Sequence, residues 1–135
     1  MIIDDDLDVS QIVGEVLADR GYEPVVINET EGRAKLIRDR IAEENPSVVL
    51  LDLMMPGLDG FQILEMLQSD PRTAAVPVIV FTAAVQSIGD LQEYYGASIA
   101  DFITKPFDFD SLLEKVSRAS RRVSEVDGSG LSKGL

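Results

Sequence analysis

Four stretches of this 135-residue chain end an apolar run in a side chain that could do chemistry. Val48-Val49-Leu50-Leu51 runs into Asp52, and a Pro56-Gly57 turn follows. Met1-Ile2-Ile3 runs into Asp4-Asp5-Asp6. Val76 to Phe81, apolar except for Pro77, ends in Thr82-Ala83-Ala84. Ala100 to Thr104 ends in Lys105-Pro106. Apolar runs bounded by turn signals read as strands buried on both faces. Laid side by side in parallel, they would deliver acids, a hydroxyl and an ammonium to one carboxyl edge, where open α/β sheets bind ligands. Carboxylates crowded there repel one another and need a divalent cation or proton uptake to coexist. Each residue also has a plainer reading. Asp52 could cap the next turn, and Asp6 could be a solvated cap on the next helix. Lys105 could be a surface lysine, and Phe102 a core aromatic.

The elements that must position these residues follow from periodicity and turn chemistry. Asp8 is placed to cap a helix with Ile12, Val13, Val16 and Leu17 on one apolar face, stopped near Gly21. Glu23 to Ile27 reads as a strand, and Pro24 favours an edge position for it. Thr30 opens a helix to about Glu44 with Ala34, Leu36, Ile37 and Ile41 inside, and Asn45-Pro46 ends it. Ser47 to Asp52 is the central strand. Asp59 caps a helix carrying Phe61, Leu64 and Leu67, closed by Asp70-Pro71. Val76 to Thr82 is the fourth strand. Ser87 with Asp90 marks a short fourth helix bearing Leu91, Tyr94 and Tyr95. Ala100 to Thr104 is the fifth strand. Asp108 caps a last helix with Phe109, Leu112, Leu113, Val116 and Ala119 on one face. Strands alternate with helices five times, which predicts an α/β domain with a parallel sheet covered on both faces. The domain is expected over residues 1–123. From Ser124 the sequence turns Ser/Gly-rich, so 124–135 reads as a flexible linker or tail.

Composition narrows the function. The length suits one domain with a real core. Hydrophobic content of 45% and charged content of 27% are ordinary for a soluble globular protein. With no cysteine, disulfides and thiolate metal sites are excluded. With no histidine, histidine-based catalysis is excluded too. No apolar run approaches the roughly 20 residues of a membrane span, and no signal peptide is evident, so a cytoplasmic location without membrane contact is expected. The formal net charge of -12 argues against direct nucleic-acid binding by this domain.

Four motifs together resemble the receiver domain of two-component response regulators. They are Ile3-Asp4-Asp5-Asp6, Leu50-Leu51-Asp52-Leu53-Met54-Met55-Pro56-Gly57-Leu58-Asp59-Gly60, Phe81-Thr82-Ala83 and Asp101-Phe102-Ile103-Thr104-Lys105-Pro106-Phe107. The resemblance covers roughly residues 1 to 122. It implies a flavodoxin-like (βα)5 doubly wound parallel sheet of strand order 2-1-3-4-5, which sets the first strand beside the third and Asp4 and Asp5 beside Asp52. The first strand is shorter than the family's. The segment between Thr82 and Lys105 is slightly longer, with the excess between Gly96 and Asp101.

The resemblance also implies the roles. An all-oxygen site of this kind suits Mg²⁺. Asp5 would bind it directly, Asp4 directly or through water, Asp52 as a third carboxylate and Met54 through its backbone carbonyl. Asp52 would be the nucleophile that takes a phosphoryl group from a phosphohistidine on a sensor histidine kinase or phosphotransfer protein. Lys105 and Thr82 would bind the phosphoryl oxygens, with Ala83 small enough to give access. Thr82 would then move toward the phosphate and Phe102 turn inward. That would re-shape the face made by the fourth helix, fifth strand and fifth helix for an output domain or dimer partner. The chain would catalyse its own phosphorylation and slow dephosphorylation and no other turnover. Asp101, Lys115 and Arg118 are similar to the charged dimer face of the winged-helix branch, although the fourth helix lacks the lysine that completes it.

Two other functions fit parts of the pattern. A haloacid-dehalogenase-type phosphatase also uses a strand-end Asp with Mg²⁺, but needs a second acid where this chain has Met54. A phosphorylation-independent binding module on the same fold would tolerate loss of Asp5 or Lys105, and both are present.

Overall fold

The sheet strands alternate their side chains between two apolar layers. Ile3, Val49, Leu51, Val78 and Val80 point to one side, and Ile2, Leu50, Ile79 and Phe81 to the other. Both layers are covered, which is why the strands read as unbroken apolar runs. The structure, a computed structural model, describes residues 1–28, 34–55, 58–82, 89, 93 and 99–128.

The chain runs β1 (Ile2–Ile3), α1 (Leu7–Ala18), β2 (Val26–Ile27), α2 (Ala34–Glu44), β3 (Val49–Asp52), a small antiparallel hairpin of β4 (Met54–Met55) and β5 (Leu58–Asp59), α3 (Gly60–Ser69), β6 (Val78–Thr82), β7 (Ile99–Thr104) and α4 (Phe109–Gly128). Five strands form one sheet of order β2-β1-β3-β6-β7, and every pairing in it is parallel. Counting only the sheet's strands, this is the expected order 2-1-3-4-5, with β2 at an edge. Ile37 and Ile41 of α2 and Ile63, Leu64 and Leu67 of α3 cover the first layer. Val13 and Leu17 of α1 and Leu112, Val116 and Ala119 of α4 cover the second.

Several boundaries differ from the sequence expectation. Asp6 rather than Asp8 caps α1, accepting a bond from the Val9 N–H, and Asp8 sits in the first turn. The strand expected from Glu23 is regular only at Val26–Ile27. The fourth sheet strand begins at Val78, not Val76. Pro77 has no N–H to give a ladder, and its carbonyl accepts from Val49 N–H. Ile12 and Leu36, expected inside, are 49% and 59% exposed. Each lies beside its helix's buried stripe, which is Ser10, Val13, Gly14 and Leu17 in α1 and Ile37 and Ile41 in α2. Phe109 is 41% exposed at the first turn of α4. Asn45 ends α2 in the left-handed region, at φ 45°, which Asn tolerates better than most residues. α4 runs through Ser124 to Gly128, beyond the point where apolar periodicity stops. Thr30, Ala83 and the expected fourth helix from Ser87 lie outside the described residues, the last apart from Gly89 and Glu93.

β7 is irregular near its start. Val78 pairs with Ile99 but Ile79 pairs with Asp101, so Ala100 is an unpaired bulge residue. The bulge inverts the facing of the strand's start. Ile99 joins the α2/α3 layer, whereas Ile103 joins the α1/α4 layer.

Candidate functional site

The four strand ends do meet. Asp4 follows β1, Asp52 closes β3, Thr82 closes β6 opposite Thr104, and Lys105 follows β7. Because β1 lies against β3, with Ile3 opposite Leu51, the acid pair falls beside Asp52. One carboxylate oxygen from each of Asp4, Asp5 and Asp52 lies within 4.8 Å of the others. Asp4 is fully buried and Asp52 is 4% exposed, whereas Asp5 faces solvent.

Lys105 reaches into this cluster. Its Nζ donates to Asp4 Oδ2 at 2.9 Å and to Asp52 Oδ2 at 3.1 Å. It also stands 4.6 Å from the centroid of the Phe81 ring. Phe107 meets Phe81 edge-on at 4.8 Å, and Phe109 meets Phe107 at 5.8 Å. Burial alone would lower the lysine pKa, but the bonds and charges of Asp4 and Asp52 outweigh it and raise the pKa above the ordinary value. The ammonium is therefore fixed in its charged form between two buried acids.

The backbone around the acids is held from several sides. Asp4 Oδ1 accepts from the Asp6 N–H at 3.0 Å, and Asp4 N–H donates to the Ile27 carbonyl at 3.3 Å. Asn28 Nδ2 and Ser10 Oγ both donate to the Asp4 carbonyl, at 3.1 and 3.4 Å. On the other acid, Gly60 at the start of α3 packs against the residue after Asp52. A Cβ at Gly60 would fall 2.7 Å from Leu53 Cα. Sequence reasoning did not single out Asn28, Ser10 or Gly60. Gly60 carried a signal, a glycine opening a helix right after an acid; the other two carried none.

The remaining expected residues are placed unevenly. Met54 opens the hairpin two residues after Asp52. The Thr82 hydroxyl and Ala83 lie outside the described residues. Phe102 is half-buried against the α2/α3 layer. Lys115 of α4 donates to the Phe102 carbonyl at 2.5 Å and pairs with Asp101 at 3.6 Å. Arg118 donates to Glu114 one turn away, at 2.6 Å. The residues likened to a dimer face thus have partners within the chain.

The donor set fits a hard divalent cation. All candidate ligand atoms are carboxylate oxygens gathered in one partly buried cluster, the kind of donor set that hard divalent cations take.

A parallel sheet of this order with helices on both faces belongs to the flavodoxin-like class. Within that class the chain is a member of the response regulator receiver domain family, whose family model matches residues 1–117. It is 34% identical over 127 residues to the DNA-binding dual master transcriptional regulator RpaA of Synechocystis, covering 93% of this chain and 50% of that protein. It is 32% identical over 135 residues to the response regulator MprA of Mycolicibacterium vanbaalenii, covering 100% of this chain and 55% of that protein. Among solved structures, the receiver domain of Francisella response regulator 1452 superposes with a TM-score of 0.75 at 28% identity, covering 90% of this chain and 95% of that one. The chain spans about half the length of the curated relatives it matches. No helix among the described residues is long and apolar enough to cross a membrane.

Proposed function

We propose that this domain is a phosphorylation switch whose acceptor is Asp52. The observation that carries the reading is the fixed pairing of the Lys105 ammonium with a buried Asp52 carboxylate inside a three-acid cluster. Membership of the receiver family supports it.

The transfer is a displacement at phosphorus. An Asp52 carboxylate oxygen forms the new P–O bond, and the bond from phosphorus to the donor's imidazole nitrogen breaks. The electron pair leaves with the imidazole, and Asp52 becomes an acyl phosphate. Little covalent help is needed, so positioning and positive charge carry the rate. Lys105, already 3.1 Å from Asp52, is placed to follow the incoming oxygens. Thr82, closing the next strand, would offer its hydroxyl, and the small residue type at Ala83 would suit access. Asp4, Asp5, Asp52 and the Met54 carbonyl would hold Mg²⁺, which supplies further positive charge to the phosphoryl oxygens.

In this reading the donor is a phosphohistidine on a sensor kinase or phosphotransfer protein, as membership of the receiver family suggests. The domain acts in the cytoplasm and catalyses only its own modification and slow dephosphorylation. Residues 1–123 form the switch. Thr82 and Phe102 relay phosphorylation to the face made by the helix expected from Ser87, β7 and α4, read by an output domain or a dimer partner.

Incubation with acetyl phosphate and Mg²⁺ tests the acceptor by intact mass. One added phosphoryl group is expected on the wild type and none on Asp52→Asn. An adduct that persists in the variant would refute the assignment.

A further inference from the structure

The Asp4 carbonyl is held by two side chains from elements that carry no acid of the cluster. Asn28, directly after β2, donates its Nδ2 at 3.1 Å, and the fully buried Ser10 of α1 donates its Oγ at 3.4 Å. Asn28 Nδ2 also lies 3.4 Å from Ser10 Oγ, which closes the three groups into a clasp. That carbonyl belongs to the planar peptide joining Asp4 to Asp5. Fixing its oxygen restrains the plane, and the plane sets where the Asp5 Cα, the root of its side chain, stands. The other holds on Asp4 act elsewhere: Lys105 and the Asp6 N–H on its carboxylate, and Ile27 on its N–H. Asp5, by contrast, is exposed.

We propose that Asn28, assisted by Ser10, is a positioning residue for cation binding: it clamps the Asp4–Asp5 peptide so that the exposed Asp5 carboxylate meets Asp4 and Asp52. The inference rests on the proposed Mg²⁺ site. Partners of this kind behind metal ligands typically govern affinity by about 10–100-fold.

The test is calorimetric titration of Mg²⁺ alone into the wild type, Asn28→Ala, Asn28→Leu and Ser10→Ala, with melting curves in EDTA to confirm folding. Leu restores the volume of Asn without a donor, so both Asn28 variants should bind about 10-fold more weakly. Ser10→Ala, which keeps the Asn28 bond, should lose less and reports on the clasp even where an Asn28 variant folds poorly. In acetyl phosphate labelling, the Mg²⁺ concentration for half-maximal rate should rise in Asn28→Ala while the saturating rate is kept. Wild-type affinity in Asn28→Leu would show that only volume matters and overturn the inference. A wild type that does not bind Mg²⁺ would overturn the metal reading and this inference with it. Normal wild-type binding with unchanged variants overturns this inference alone.

Discussion

The Lys105 ammonium lies 3.1 Å from the Asp52 carboxylate at the edge of the sheet, and the same nitrogen bonds Asp4 at 2.9 Å. One cation is thus shared by two buried acids. Lys105→Met should remove the ammonium they share and destabilise the metal-free protein by about 1–3 kcal/mol. Mg²⁺ should recover much of that loss, because it would compensate the same acids. Melting in EDTA and in Mg²⁺ at matched ionic strength reads both effects. An equal loss in the two conditions would separate Lys105 from the acid cluster.

A second charge cluster lies outside the site and sets an acid limit. Arg72 binds Asp70 through its side chain, at 2.7 Å from Nη2, and through its backbone N–H, at 2.9 Å. It also reaches Asp39 on α2 at 3.0 Å. These bonds, the Arg72 side chain first, lower the Asp70 pKa from 3.8 to about 2. A depressed carboxylate pKa adds stability that is complete above 3.8 and is lost as pH falls through about 2. Carbon-detected NMR titration should place Asp70 near that lower value, and Arg72→Gln should move it up toward the ordinary one. An unchanged Asp70 in the variant would remove Arg72 as the cause.

Gly60 holds α3 against the backbone just past Asp52, where a Cβ would approach Leu53 Cα to 2.7 Å. Backbone cannot swing aside as a flexible side chain can. Gly60→Ala should cost about 1–3 kcal/mol as overpacking and slow acetyl phosphate labelling of Asp52. A variant that melts and labels like the wild type would show that the two segments are not in close contact.

The parts of the fold legible in sequence were those written as unbroken apolar runs with polar ends. Val48 to Asp52 and Val76 to Thr82 reveal strands because both their faces are buried. Their ends reveal an edge because an acid or hydroxyl stops each run. Strand order is not local information, and it came from resemblance. What escaped were contacts made across the chain. Asn28 looks like any loop residue until β2 is set beside β1. Ser10 sits in a helix whose stripe is otherwise Val13, Gly14 and Leu17. The misplaced cap at Asp8 has a local cause: four acids among residues 4–8 offer several equivalent caps, and only the path of the chain selects Asp6. The bulge at Ala100, and with it the reversal of facing between Ile99 and Ile103, needs the register of β6.

The proposed switch has a specific lock to break. Lys115 ties α4 to β7 through the Phe102 carbonyl and Asp101, while the Phe102 ring packs on the opposite layer. Movement at Phe102 would therefore be felt on α4. In the proposed mechanism the phosphate gains a charge-assisted bond from Lys105 and a hydroxyl bond from Thr82, each worth roughly 1.5–3 kcal/mol. Moving a two-state equilibrium from 1:99 to 99:1 takes about 5.5 kcal/mol. Lys105 exchanges existing bonds to Asp4 and Asp52 for the phosphate, so its net gain is smaller and the Thr82 bond is needed to approach that figure. Thr82→Ala should then still accept a phosphoryl group at Asp52 but fail to change conformation. NMR spectra with and without beryllofluoride, a phosphoryl mimic, read this directly. In the wild type, shifts should extend from Asp52 through Phe102 to Lys115. In Thr82→Ala they should stop near Asp52. Full wild-type shifts in the variant would exclude coupling through Thr82. Wild-type shifts confined to the neighbourhood of Asp52 would make the domain a phosphate sink rather than a switch.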